Sequence, residues 1–439
     1  MTTSARSIAA VPPETASEVD ADKVISKVTR RLVPFLVVCY VAAYLDRINI
    51  GFAALTMNRD LGFSPVLFGW GAGSFFIGYT LFEVPSNYIL DRVGARLWIA
   101  RIMVSWGIVS GLMAITWNGT SFITLRFLLG FAEAGFAPGI LLYLTYWFPA
   151  EHRARTLAAF LIAAPLSTII GAPISGLVLA TMEGVAGLEG WQWLFILEAF
   201  PAVILGVAAF FFLTDKPKDA GWLTRSERTF LQARLDHEHA IHESAHHSTF
   251  WRALRHPHVI LLGIAYFGIV FALYGLGFWL PQIVDAFGFY AIGTGLITAI
   301  PYLCGALAMM RWSKTADRTG DYSRHAALAC CVAAFGLTAS AWFQAPIPVM
   351  LAISVAVTGT LAVFPAFWAL PTAFLSRTAA AAGIALINSI GNLAGFFGPY
   401  IVGWIKGVSG EFSWAMLALA LGPVLSAILI LSVKSLRSV

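Results

Sequence analysis

The chain has 439 residues, of which 59% are hydrophobic and only 12% charged. Soluble domains run near half apolar and a quarter charged, so together with a mean hydropathy of +0.78 this excludes a soluble enzyme, a disordered chain and a secreted disulfide scaffold. The net charge of +5 would suit nucleic acid in a soluble protein, but here the placement of the charges decides their meaning. The four cysteines, Cys39, Cys304, Cys330 and Cys331, all lie in apolar segments, which argues against a disulfide framework.

Residues 1–30 read as a polar tail of mixed charge, without the apolar core and cleavage site of a signal peptide. Apolar runs follow at 31–53, 67–89, 97–117, 122–146, 155–180 and 191–213. After a polar stretch over 214–257 come runs at 258–280, 292–312, 325–344, 347–374, 379–405 and 413–434, and a short tail at 435–439. Each is close to the ~20 apolar residues that a membrane helix requires. They are continuous, not ten-residue alternations, so helices are preferred to a barrel. The expected fold is an all-α membrane protein of twelve transmembrane helices, in two six-helix bundles over 31–213 and 258–434, with a linker over 214–257.

With the N-terminus inside, the tails and inner loops hold 23 of the 28 lysines and arginines. Only Arg59 and Lys406 fall in outer loops. This asymmetry predicts that both termini and the linker are cytoplasmic, and it accounts for the basic pI without nucleic acid.

An internal repeat supports the halving. Asp91-Arg92-x-Gly94 follows the second span and Asp317-Arg318-x-Gly320 follows the eighth, an offset of 226 residues. The same offset carries Pro173 onto Pro399, and the start of the first span onto that of the seventh. Each half is therefore expected to copy one six-helix unit.

Ionisable residues interrupt the first half at membrane depth: Asp46, Arg47, Glu83, Arg126, Glu133 and Glu198. Such groups cost at least a few kcal/mol in the bilayer, so they face a polar cavity or a partner. The middles of the second-half spans offer only neutral groups such as Gln282, Asn388 and Asn392. Arg126 and Glu133 stand two turns apart on one face, about 10 Å from each other, too far for a direct pair. Adjacent Asp46 and Arg47 point about 100° apart and need not neutralise each other. Arg47 is thus expected to lack an obligate partner and to prefer a carboxylate, with Tyr44 sharing its face. Tyr79 and Glu83 share a face of the second span, and Asn388 and Asn392 one of the eleventh. Glu83, beside Pro85, reads as structural.

His242-Glu243-Ser244-Ala245-His246 matches a zinc-protease signature. It lies in a linker with His237, His239 and His247 beside it, where no shaped cavity is expected, so it reads as a chance match. No histidine falls in the interior of a predicted span, His258 and His325 standing at the first positions of theirs, which leaves any proton movement to carboxylates. Neither G-x-S-x-G nor a G-x-x-x-x-G-K-[ST] loop occurs, so no serine hydrolase or ATP-driven pump is indicated.

These residues resemble the major facilitator superfamily from about residue 28 to 436, and within it the anion:cation symporter family. The motifs are Tyr44-Leu-Asp46-Arg47-Ile-Asn49-Ile-Gly51, Gly78-Tyr79-x-x-Phe82-Glu83-Val-Pro85-Ser-Asn87 and Arg126-x-x-x-Gly130-x-x-Glu133-Ala-Gly135-x-x-Pro138-Gly139. Trp147-Phe-Pro149 with Arg153, and Gly383-Ile-Ala-x-Ile-Asn388-x-x-Gly391-Asn392, complete the match. Asn87 stands where the superfamily's inner loop usually opens with glycine, a departure common in this family.

The resemblance implies that Arg47 binds a substrate carboxylate while Tyr44, Tyr79, Asn388 and Asn392 hold the rest of the molecule. Asp46 and Glu133 would carry protons, and Arg126 would hold Glu133 ionised or compete for substrate. Asp91, Arg92, Gly94 and Arg96, with Asp317 and Arg318, would form the gating loops. The implied activity is proton-coupled import of a small organic anion, such as a tartrate-like hydroxy acid or sugar acid, by alternating access. Aromatic carboxylates are an alternative substrate class, and electroneutral anion exchange an alternative mechanism. Expected partners are the anion, protons and the lipid bilayer, with no nucleic acid, metal or cofactor. The expected setting is a monomer in a bacterial cytoplasmic membrane.

Overall fold

The computed structural model describes residues 20–149, 151–153, 156, 162–243, 256–372 and 377–435. Among these residues, twelve helical spans are long and apolar enough to cross a membrane. In the first half they are α1 (Ala21–Asp60), α2 (Pro65–Val93), α3 (Ala95–Leu112), the pair α4 (Gly119–Glu133) and α5 (Phe136–Thr145), α6 (Ala163–Thr181) and α7 (Gly190–Phe212). After α8 (Arg225–Glu243) in the linker, the second half comprises α9 (Pro257–Asp285), α10 (Ala291–Thr319), α11 (Tyr322–Trp342), α12 (Pro346–Thr372), α13 (Arg377–Ser409) and α14 (Ser413–Ser435). An even number of spans puts Asp20 and Ser435 at the same face, and six spans per half put α8 there too.

The helices overrun the apolar runs, because an amphipathic turn or two outside the bilayer still gains tertiary contacts. α1 begins ten residues before its apolar run, in the stretch expected to be tail, where Asp20 caps the amides of Asp22 and Lys23. α8 opens on a reciprocal cap, the Thr224 amide donating to Glu227 and the Glu227 amide to the Thr224 hydroxyl. It is clasped to the first half by Lys27–Glu227 at 2.9 Å, Arg153–Glu238 at 3.2 Å and Arg234–Glu151 at 2.6 Å. His242 and Glu243 end α8, while the rest of the H-E-x-x-H run lies outside the described residues. Two histidines fall inside spanning helices, His258 in the first turn of α9 and His325 in that of α11.

The fourth span is not one helix. α4 ends at Glu133, Ala134 turns to ψ 133°, and Gly135 adopts φ 86° before α5 restarts. That left-handed value favours glycine strongly, and it places Glu133 at a helix terminus in mid-span.

The two halves meet along α2–α13, α6–α10 and α1–α9. The repeat offset of 226 reappears here as paired contacts. A Cβ on Gly69 of α2 would stand 2.6 Å from the Pro399 carbonyl of α13, and one on Gly295 of α10 would stand 3.2 Å from Cα of Pro173 on α6. Glycine lets the backbones approach where no hydrophobic force within lipid would drive them together. Gly51 of α1 lies equally close to α9, with a Cβ there reaching 2.8 Å from the Phe278 carbonyl. All these contacts lie toward the end opposite the chain termini, so the molecule is closed at that end. Gly69→Val is therefore expected to destabilise the protein by about 1–3 kcal/mol through overpacking. A lower thermal unfolding midpoint in detergent would show it, and an unchanged midpoint would contradict the close seam.

Candidate functional site

The ionisable residues of α1, α2 and α4 converge at mid-depth. Arg47 Nη2 and Glu133 Oε1 form a buried ion pair between α1 and α4, with Arg47 7% and Glu133 1% exposed. Arg47 Nη1 donates to the Tyr274 hydroxyl of α9 at 3.0 Å, so this guanidinium bridges the two halves. Its carbon lies 5.0, 5.2 and 5.6 Å from the ring centres of Tyr44, Phe75 and Tyr79, a cation–π enclosure on several sides.

This corrects one expectation. Arg47 is not without a partner: the break after Glu133 and the packing of α1 bring the two together across 86 residues of sequence. Arg126 makes no pair with Glu133, as their separation of two turns along one face implies. It is fully buried, donates from Nη2 to the Ala72 carbonyl at 3.3 Å, and forms no ion pair among the described residues. Its Nε and Nη1 find no partner among the described residues, and neither does Glu133 Oε2. Phe75 and Phe278 lie under it at 5.1 and 6.0 Å. Asp46 turns away from Arg47 into the first half, where Trp106 Nε1 and Ser110 Oγ of α3 donate to it at 2.9 and 2.8 Å. A helix separates adjacent side chains widely, and α3 supplies the donors.

Asn388 and Asn392 are brought to the seam between halves, but their partner is Glu83. Asn388 Nδ2 donates to Glu83 Oε1 at 3.0 Å and Asn392 Nδ2 to Oε2 at 3.1 Å. Tyr79 lies one turn from Glu83 and is 6% exposed. Glu198 stays apart from this cluster, accepting from Ser175 Oγ at 2.6 Å within the first half.

The residues expected to gate lie at the loops on the side of the termini. Asp91 accepts from the Tyr146 hydroxyl at 2.7 Å, and Arg92 lies 4.2 Å over the Tyr88 ring. Gly94 joins α2 to α3 at φ 102°, and a Cβ there would meet the Asp215 carboxylate at 2.9 Å. That carboxylate accepts from the Arg96 amide at 2.8 Å, while the Arg96 side chain covers Phe210. In the second half, Asp317 accepts from Tyr322 at 3.2 Å, and Arg318 occupies the last turn of α10.

Sequence reasoning missed Tyr274, Trp106 and Ser110. The available signal was weak: a buried tyrosine or tryptophan seeks a partner for its polar tip, but nothing local says which.

The chemistry available is that of anion binding and charge exchange. Two buried guanidiniums stand near one another, one engaged by a carboxylate and one not. No group of three or more His, Cys, Asp or Glu among the described residues could hold a metal ion.

The Major Facilitator Superfamily pattern matches residues 36–399. A protein of Agrobacterium vitis named "Putative tartrate transporter" is 53% identical over 409 residues, covering 93% of this chain and 91% of the relative. The "Inner membrane transport protein RhmT" of Escherichia coli K12 is 37% identical over 420 residues, covering 95% and 97%. Among solved structures, a bacterial homolog of the human lysosomal transporter Spinster superposes with TM-score 0.75 over 95% of this chain and 98% of that one, at 14% identity. With its twelve spans and paired halves, this multi-pass membrane protein belongs to the Major Facilitator Superfamily and is a transporter of small molecules, not an enzyme.

Proposed function

We propose that the chain imports a small organic anion of the hydroxy-acid or sugar-acid class together with protons, in a bacterial cytoplasmic membrane. The observation that carries this reading is the Arg47–Glu133 pair, a buried arginine held by a carboxylate that a substrate could replace. A substrate carboxylate offers Arg47 the same two oxygens as Glu133. For the exchange to leave no bare charge in the site, Glu133 takes up a proton as the anion arrives. Without it, closure would bury an unpaired carboxylate at a cost of several kcal/mol. Asp46, on its own hydrogen-bond pair, is the second candidate proton carrier. Arg126 supplies unpaired N–H groups and positive charge that favour anion entry. No cofactor takes part in this scheme; the proton is the coupling ion.

Alternating access follows from the halves rocking about the site, with release of the tight end opposite the termini opening the other face. The relatives named for tartrate and for inner-membrane transport support both substrate class and location. Aromatic carboxylates are a second reading, favoured by the rings of Tyr44, Phe75 and Tyr79 around Arg47.

The test is uptake by proteoliposomes of a panel of hydroxy, sugar and aromatic acids, with and without an imposed inside-alkaline pH gradient. Concentrative uptake of one class only with the gradient is expected. Exchange indifferent to pH would favour an antiporter instead. The lysine and arginine bias further predicts that both termini and the 214–257 linker face the cytoplasm. A cysteine placed in the linker should stay unlabelled by an impermeant reagent in intact cells, and efficient labelling would reverse the orientation.

A further inference from the structure

Glu83 is a buried acid to which the scheme above gives no work. It makes no ion pair among the described residues and is 6% exposed, yet both its oxygens are occupied, one by Asn388 and one by Asn392. These are the two amides expected to hold the part of the substrate remote from Arg47. The contact also joins the halves. Along the α2–α13 seam, Val66 faces Gly407, Gly69 faces Pro399, Gly73 faces Phe396 and Phe76 faces Gly395. Glu83 continues this antiparallel register two turns, about 10 Å, further toward the end that carries the termini.

A buried carboxylate normally requires a cation or several strong donors. Here the direct partners are neutral amides. A second carboxylate is therefore the group best matched to displace it. It presents the same pair of acceptors to the same two N–H donors, and like charge repels Glu83 from the place it occupies.

We propose that Glu83 is a latch that stands in for a second carboxylate of the substrate. It occupies Asn388 and Asn392 while the site is empty, is displaced by a diacid, and on leaving unfastens α2 from α13. This rests on the organic-anion reading of the site and narrows it to hydroxylated dicarboxylates. Arg47 would take one end of the molecule and the paired amides the other.

The experiment compares tartrate with threonate, which keeps the hydroxyls but replaces one carboxylate by an alcohol, on purified protein by calorimetry. Glu83→Gln keeps the shape and removes the competing charge. It should tighten tartrate binding by about tenfold, a fraction of what two charge-assisted hydrogen bonds contribute, and move threonate by less than about twofold. In the Asn388→Ala/Asn392→Ala background the same substitution should lose its selective effect, because the contested donors are gone. Equal weakening of both acids by Glu83→Gln, or no change in either, would overturn the latch. A second measurement needs no substrate: nitroxides at Tyr88→Cys on α2 and Ala385→Cys on α13, in a Cys304→Ser/Cys331→Ser background. Adding Glu83→Ala should lengthen and broaden the distance distribution, and an unchanged distribution would overturn the proposal. If the unmodified protein binds neither acid, the hydroxy-acid reading of the site has failed, and the spin-label distances still decide whether Glu83 fastens the halves.

Discussion

Glu133→Gln is expected to abolish accumulation driven by a pH gradient while leaving counterflow exchange of the same order as in the unmodified protein. Glutamine has the shape of a protonated glutamate and carries no titratable proton, so Arg47 is permanently available to the substrate. Each coupled proton contributes about 1.4 kcal/mol per pH unit of gradient, a tenfold accumulation ratio. The ratio should therefore fall from about tenfold per proton and pH unit to unity. Exchange survives because it requires only that substrate bind and the loaded carrier reorient. The same substitution leaves the Arg47 charge without its acid in the empty protein, so a lower unfolding midpoint should accompany the loss, recovered in part when substrate is added. Uptake into proteoliposomes, with and without the gradient, separates the outcomes. If Glu133→Gln concentrates substrate as well as the unmodified protein, the coupling proton travels elsewhere, and Asp46→Asn becomes the variant to measure.

Arg47→Lys is expected to weaken substrate binding by at least about a hundredfold. Arg47 reaches Glu133 with one nitrogen and Tyr274 with another at 3.0 Å, while its planar face lies among three aromatic rings. A lysine supplies one compact charge and cannot reproduce the fork. Each charge-assisted hydrogen bond lost is worth roughly 1.5–3 kcal/mol. Arg126→Lys should be milder, near tenfold, because Arg126 makes one long hydrogen bond to a backbone carbonyl and no ion pair among the described residues. Calorimetric binding constants for the two variants test the order. Were Arg126→Lys the more damaging, Arg126 and not Arg47 would be the anchor, and the ion pair would serve the empty carrier alone.

The linear sequence determined the features that depend on composition along one helix. Twelve spans, the central linker, the basic bias of one side and the identity of the intramembrane charges were all legible there, because hydropathy and charge sum locally and a membrane amplifies both. The repeat was legible as well: the offset that links Pro173 to Pro399 also links the glycines Gly295 and Gly69 that face them, since duplicated units pack by the same contacts. The break after Glu133 was marked by Gly135 and Pro138 yet hidden from a hydropathy reading, because apolar content does not register a backbone dihedral. Only the tertiary structure decided the pairings: Arg47 with Glu133, Asp46 with Trp106 and Ser110, and Glu83 with Asn388 and Asn392. Sequence spacing says which residues share a face of one helix, but partners on different helices depend on how each is rotated, broken and tilted against its neighbours, and that is set by interhelical packing far along the chain.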